Sequence, residues 1–165
     1  MATHTELVLL SLGSNQQPEI HLTGCAERLR QLGSVRFSPV YRCPAEGFEG
    51  EDFLNAAAAF HTSLPLDTLH RLLQQIESDH GRTRSEAKFS DRTLDIDILV
   101  YGQSQGNFHT LSLPRKDLLR YPFVLGPCCD LEPDYVHPAT GRTLANHWQA
   151  MQKERFILER IPLVL

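Results

Sequence analysis

The sequence is short of the features that would assign it to a disulfide-stapled fold, a membrane or a nucleic-acid partner. Its four cysteines, Cys25, Cys43, Cys128 and Cys129, form no Cys-x-x-Cys pair and have no matching histidine pairs. That spacing gives neither a disulfide framework nor a structural zinc pattern, so reduced thiols in a cytoplasmic protein are the expectation. The adjacent Cys128-Cys129 reads as two small hydrophobes packed in a core rather than a redox pair. No apolar run approaches the ~18 residues a membrane span needs. Met1 to Glu6 has neither the basic start nor the apolar core of a secretion signal. A formal net charge of −4 gives no general pull toward nucleic acid or an anionic membrane surface. Internal repeats and low-complexity segments are also missing.

What is there, 165 residues with 41% hydrophobic, suits a single well-filled domain over 1–165 and is short for two. Leu7 to Leu12 is an apolar run of strand length, ended by a Gly13-Ser14-Asn15 turn. Leu22, Cys25, Ala26, Leu29 and Leu32 recur at helical spacing after Pro18, and Gly33 stops that helix. Val35, Phe37 and Tyr41 alternate with polar residues, and Pro39 confines that run to a bulged or edge strand. Cys43 to Asp52 is an acidic, glycine-broken loop of the kind that covers ligand sites. Phe53 to Thr62 reads as a strand from its alternation, although its alanines favour a helix by propensity. Ser63 and Pro65 open a helix striped by Leu66, Leu69, Leu72, Leu73 and Ile76 and stopped at Gly81.

Asp91 to Tyr101 carries the chemistry. Leu94, Ile96, Ile98 and Val100 share one parity, and Asp95 and Asp97 share the other. Aspartate is depleted in strands, and two carboxylates as same-face neighbours need a cation between or beside them. The strand, helix, strand, strand, helix, strand order predicts an α+β fold. Its expected form is a ferredoxin-like βαββαβ core with C-terminal additions, an antiparallel sheet covered by helices. The additions read as a hairpin or loop over Gly102–His109, an extended Leu111–Pro114 and a helical turn at Asp117–Arg120. Tyr121–Leu125 leads through Gly126-Pro127 into a short helical pass ending at Leu131. Thr143–Met151 suits a helix and Phe156–Leu158 an edge strand.

Carboxylates two apart on a strand stand roughly 6–7 Å apart at the Cα level. Their side chains can share one divalent ion or an ion pair ~3.5–4 Å apart. Just before them, Arg82 to Arg92 places four cations, Arg82, Arg84, Lys88 and Arg92, in eleven residues. An acid pair beside a basic loop is complementary to a metal–polyphosphate. A plain salt bridge from Arg82, Arg84 or Arg92 to either aspartate accounts for the same charge pattern. Phe53 and Asn55 share a strand face, where a ring stacks on a flat heterocycle and an amide reads its edge. A core aromatic beside a structural asparagine is the competing account.

Taken together these pieces resemble the 6-hydroxymethyl-7,8-dihydropterin pyrophosphokinase family. The matching blocks are Ser11-Leu12-Gly13-Ser14-Asn15, Phe53-Leu54-Asn55-Ala56, Ile76-Glu77 with Gly81-Arg82-Thr83-Arg84, and Arg92-Thr93-Leu94-Asp95-Ile96-Asp97-Ile98-Leu99. Phe123-Val124-Leu125 with Pro127 completes the set, so the resemblance runs from about Leu7 to Pro133. It implies transfer of pyrophosphate from ATP to the pterin hydroxymethyl group in folate synthesis, with AMP released. Asp95 and Asp97 would bind two Mg2+ ions, and Arg82 and Arg92 would stabilise charge on the transferring group. Gln74, Glu77, Arg84, Lys88, Ile98, Arg115 and Lys116 would contact ATP. Cys43, Pro44, Phe53, Asn55, Phe89 and Phe123 would hold the pterin, with Phe53 and Phe123 as the sandwich. The implied partners are ATP and a small pterin, without nucleic acid or membrane, on a monomer or weak dimer.

Several positions depart from the family pattern. Lys88-Phe89-Ser90-Asp91 stands where Arg-Trp-Gly-Pro is usual. Arg115 and Lys116 replace a histidine and an aromatic, Tyr121 stands at an arginine position with Arg120 one residue early, and Cys43 replaces a threonine. Glu46 takes an apolar place. These changes favour, as the competing reading, a paralogue that binds pterin or nucleotide with little transfer, or one that acts on a related pterin.

Overall fold

The computed structural model describes residues 4–45, 50–81, 93–151 and 158–165. β1 (Glu6–Ser14) runs through the middle of an antiparallel sheet, between β4 (Phe53–Thr62) and β5 (Asp95–Tyr101). β3 (Val40–Cys43) follows β4 and β8 (Glu159–Ile161) follows β3, giving the order β5-β1-β4-β3-β8. β2 (Arg36–Phe37) also pairs with β4, and Pro39 falls in the break between β2 and β3. α1 (Pro18–Arg30) and α2 (Leu66–Asp79) cover one face. The other face carries α3 (Asp117–Arg120), α4 (Pro122–Leu131) and α5 (Leu144–Ala150). β6 (Gly106–Phe108) and β7 (Leu111–Leu113) pair as a separate hairpin. Among the described residues no helix is long and apolar enough to cross a membrane.

β1 shows why its sequence is an unbroken apolar run. Val8, Leu10 and Leu12 pack with Leu22 and Leu29 of α1 and Leu69 and Leu73 of α2. Leu9 joins Leu118, Val124, Leu125 and Leu144 on the opposite side. A strand buried on both faces has no solvent side to leave polar. β4 solves the same problem with small residues: Ala56 and Ala58 face the first core, Ala57 and Ala59 the second. Its long pairing with β1, from Thr62 opposite Glu6 to Leu54 opposite Ser14, outweighs alanine's helical preference.

The structure corrects several sequence expectations. Gly13 and Ser14 lie inside β1 rather than in a turn, paired with Asn55 and Leu54. Pro65, not Ser63, precedes α2, without a side-chain cap, and Leu72 is 39% exposed, off the buried stripe. β1 and β5 slip register between Leu9 and Leu10, which pair with Val100 and Ile98. Leu99 is therefore the extra residue of a bulge, and Val100 joins Leu99 in the second core instead of continuing the Leu94–Ile96–Ile98 parity. α4 is one helix from Pro122 that runs through Pro127. There the ring edge of Trp148 lies 3.1 Å from where a Cβ on Gly126 would stand, so glycine lets α5 close on α4. The edge strand beside β3 is Glu159–Ile161, and Leu158 precedes it.

Candidate active site

Because Leu94, Ile96 and Ile98 are committed to the core beneath α1 and α2, Asp95 and Asp97 emerge on the other sheet face. Strand register then collects their neighbours. Gly13 pairs with Asp95 on one side and Asn55 on the other, and Ser11 pairs with Asp97 and Ala57. Asp95, Gly13 and Asn55 thus form one row across three strands. Phe53 shares the face of Asn55, and β3 brings Cys43 opposite Phe53. A Cβ on Gly13 would stand 3.1 Å from Asn55 Oδ1 and 3.8 Å from Phe53 Cδ1. The missing side chain leaves room for the amide and the ring to lie across β1.

Burial first, and then the neighbouring Asp95, push the Asp97 carboxyl up from its ordinary 3.8 to about 7; Arg115 opposes the shift, while Glu77 and Asp117 add to it. Arg115 Nη2 stands 3.7 Å from Asp97 Oδ1, and Arg115 Nε stands 3.3 Å from Asp117 Oδ2. The Arg115 backbone N–H donates to Leu99 O at 2.8 Å, at the bulge, which sets the arginine beside the carboxylate two residues upstream. Burial lowers the Arg115 pKa, but Asp97 and Asp117 raise it further, and the net shift is upward. Arg115 thus stands between Asp97 and Asp117 and shares its charge between them. Among the described residues no three His, Cys, Asp or Glu side chains converge as a metal cage. The Asp95–Asp97 pair instead fits a hard cation that draws its remaining oxygens from phosphate and water.

Glu77 is only 4% exposed, and its Oε2 accepts a 2.9 Å hydrogen bond from the Ile96 backbone N–H. It ties the last turn of α2 to β5 between the two aspartates. Glu77→Ala is expected to lower stability by about 1–3 kcal/mol, read as a fall in the urea midpoint at unchanged slope. Gln74 lies half-buried one turn earlier. The Ile98 side chain, 3% exposed, sits in the core on the opposite face and does not join the carboxylates. Cys43 is buried and its Sγ accepts from Asn55 Nδ2 at 2.6 Å, while Pro44 and Lys116 are exposed. Phe123, in the first turn of α4, stacks on Tyr121 with centroids 5.0 Å apart and planes at 19°. Arg120 Cζ stands 5.4 Å from the Tyr121 ring centre. Gly13 acts through Asn55 and Phe53, distant in the chain, while Asp117 and Tyr121 act on Arg115 and Phe123 only two residues away, through local backbone geometry that side-chain pattern does not show. Arg82, Arg84, Lys88, Phe89, Ser90, Asp91, Arg92 and Glu46 lie outside the described residues.

An antiparallel sheet with helices on both faces, one of which sets a ring and an amide beside paired carboxylates, defines a mixed α/β protein with a candidate site on that face. Residues 9–133 match the 7,8-dihydro-6-hydroxymethylpterin-pyrophosphokinase (HPPK) family. The 2-amino-4-hydroxy-6-hydroxymethyldihydropteridine pyrophosphokinase of Pseudomonas aeruginosa is 36% identical over 161 residues, covering 94% of this chain and 96% of that protein. The protein of the same name from Synechocystis is 34% identical over 140 residues, covering 82% of this chain and 71% of that one. The chain belongs to the HPPK family. Its fold also matches a crystal structure of Plasmodium falciparum HPPK-DHPS with SDX-DHP, at a TM-score of 0.69 and 13% identity over 93% of this chain. The chain spans 47% of that longer solved chain.

Proposed function

We propose that this chain transfers pyrophosphate from ATP to the hydroxymethyl group of 6-hydroxymethyl-7,8-dihydropterin, releasing AMP. The observation that carries the reading is the Asp95–Gly13–Asn55 row with Phe53 beside it, in a chain of this family. The pterin hydroxymethyl oxygen attacks the β-phosphorus of ATP in line. The new O–P bond forms as the bond between the β-phosphorus and the oxygen bridging to the α-phosphorus breaks, and the hydroxyl proton is released. Phe53 supplies a ring face for the heterocycle and Asn55 an amide for its edge. Phe123 would form the second wall of the sandwich, for which its stack on Tyr121 has to open or carry the ring along. Arg115, which lies near Asp97, and the exposed Lys116 would meet phosphate oxygens, with Arg82 and Arg92 as the further cations. Two Mg2+ ions held by Asp95 and Asp97 would supply the neutralisation of phosphate charge that two carboxylates cannot. The core order β5-β1-β4-β3 around α1 and α2 supports a ferredoxin-like classification.

The direct test mixes the protein with ATP, 6-hydroxymethyl-7,8-dihydropterin and Mg2+ and follows AMP. AMP formation that requires both the pterin and Mg2+ is expected. Folded protein that binds the pterin by calorimetry yet releases no AMP would favour the non-transferring paralogue.

A further inference from the structure

We propose that His21 and His80 form a two-imidazole site for a divalent transition-metal ion, Zn2+, Ni2+ or Cu2+. The pair joins α1 to the end of α2, outside the carboxylate site. His80 follows the last residue of α2, with its backbone N–H shared between Ile76 O at 3.2 Å and Glu77 O at 3.1 Å. Its Nδ1 stands 2.8 Å from His21 Nδ1, with the rings edge to face at 73°. At that distance one ring donates a single proton and the other accepts it. Two nitrogens bound to one ion at about 2.0–2.1 Å stand about 2.8–3.4 Å apart at right or tetrahedral angles. The pair is therefore already at chelating distance, and a tilt of two partly exposed rings brings both lone pairs onto an ion that replaces the proton.

Gly24 is fitted to the same pair. A Cβ there would stand 2.7 Å from His80 Cε1 and 3.3 Å from Nε2. Glycine weakens a helix interior, so its place inside α1 has a packing reason: it seats the imidazole. Arg28 Nη1 and Gln75 Nε2 each stand 2.8 Å from an Asp79 oxygen. Those bonds tie α1 to the same end of α2, and Asp79 matches the Arg28 charge beside His80. Among the described residues no third His, Cys, Asp or Glu joins the pair, so water completes the coordination. Imidazole selects Zn2+, Ni2+ or Cu2+, whereas Mg2+ takes oxygen ligands, so this ion is distinct from those proposed at Asp95 and Asp97. Bound only by the folded protein, it would cross-link the two helices that cover one sheet face.

The test is calorimetric titration of Zn2+, in excess Mg2+, into the full-length protein and into His21→Ala, His80→Ala, His147→Ala and Asp97→Asn; no outcome depends on AMP release. With two of four ligand positions supplied by the protein, a Kd on the order of 10 μM is expected for wild type. H21A and H80A should each bind at least about tenfold more weakly. Their double variant should be no more than about twofold weaker than either, because a chelate needs both rings. H147A removes a ring of the other histidine pair, His137 with His147, and should leave the Kd within about twofold. Zn2+ should also raise the urea midpoint of wild type and not that of H21A or H80A. No Zn2+ binding in wild type, or an unchanged Kd in either H21A or H80A, overturns the proposal. So does a Zn2+ site lost in D97N and kept in H21A, which would assign the ion to the carboxylates. Should one of the two single variants fail to fold by circular dichroism, the other decides.

Discussion

Asp97→Asn is expected to abolish turnover and, in the same protein, to raise the stability of the substrate-free fold above neutral pH. Both effects come from one feature, a carboxylate whose burial and nearness to Asp95 push its pKa to about 7. In the folded protein Asp97 keeps its proton over the range from the ordinary 3.8 to about 7, where the unfolded chain has already lost it. The folded state then binds more protons than the unfolded one, so stability falls as pH rises through that window and levels off above it. Asparagine does not titrate. D97N should match wild type near pH 4 and exceed it by on the order of 2 kcal/mol near pH 8, from denaturation midpoints at the two pH values. Loss of turnover should be about a thousandfold or more, ~4 kcal/mol of transition-state stabilisation, with pterin affinity kept within about twofold. A D97N variant with near-normal AMP release would remove Asp97 from the proposed metal pair. Equal stability profiles would mean that the charge is already compensated in the folded protein.

The strands were legible in the sequence where one residue's side chain decides its own environment. Leu94, Ile96 and Ile98 alternate because one face of β5 is committed to the helix-covered core, and the aspartates follow on the other. The pattern failed at Val100, because a bulge at Leu99 is a property of two strands and not of one. Gly13 illustrates the same limit. Beside Ser14 and Asn15 it reads as a turn, yet its place is inside β1, where its missing side chain makes room for Asn55 and Phe53 from a neighbouring strand. Pro127 reads as a break, but α4 is already held by Leu125 and Cys128 in the second core, and the helix continues through it. Glu77 could be placed near the end of α2, yet its hydrogen bond to the Ile96 backbone depends on how α2 crosses β5. The candidate site is thus legible as a list of chemical types. Its orientation is a consequence of register.

Arg115→Ala is the second large effect, and its sign differs between the metal and the nucleotide. The guanidinium lies near both Asp97 and Asp117, so it supplies part of the positive charge that a divalent ion would bring. A cation fixed there repels an arriving ion and competes for the same oxygen. Removing it should leave Mg2+ binding to the protein alone unchanged or tighter by up to about fivefold in calorimetry. The polyphosphate experiences the opposite change, since it loses a charge-assisted donor beside the acid pair, and the ATP KM should rise by about tenfold. The pterin KM should stay within about twofold, because Arg115 reaches the site from the β5 bulge and not from the β3–β4 side that holds Cys43, Phe53 and Asn55. Asp97 would also lose the influence that holds its pKa down, so the fall in stability with rising pH should steepen in R115A. That change should disappear in the Asp97→Asn, Arg115→Ala double variant, because the two residues act on stability through each other. An unchanged ATP KM would confine Arg115 to the role of internal counter-ion, and the nucleotide would then have to be held by other cations of the chain.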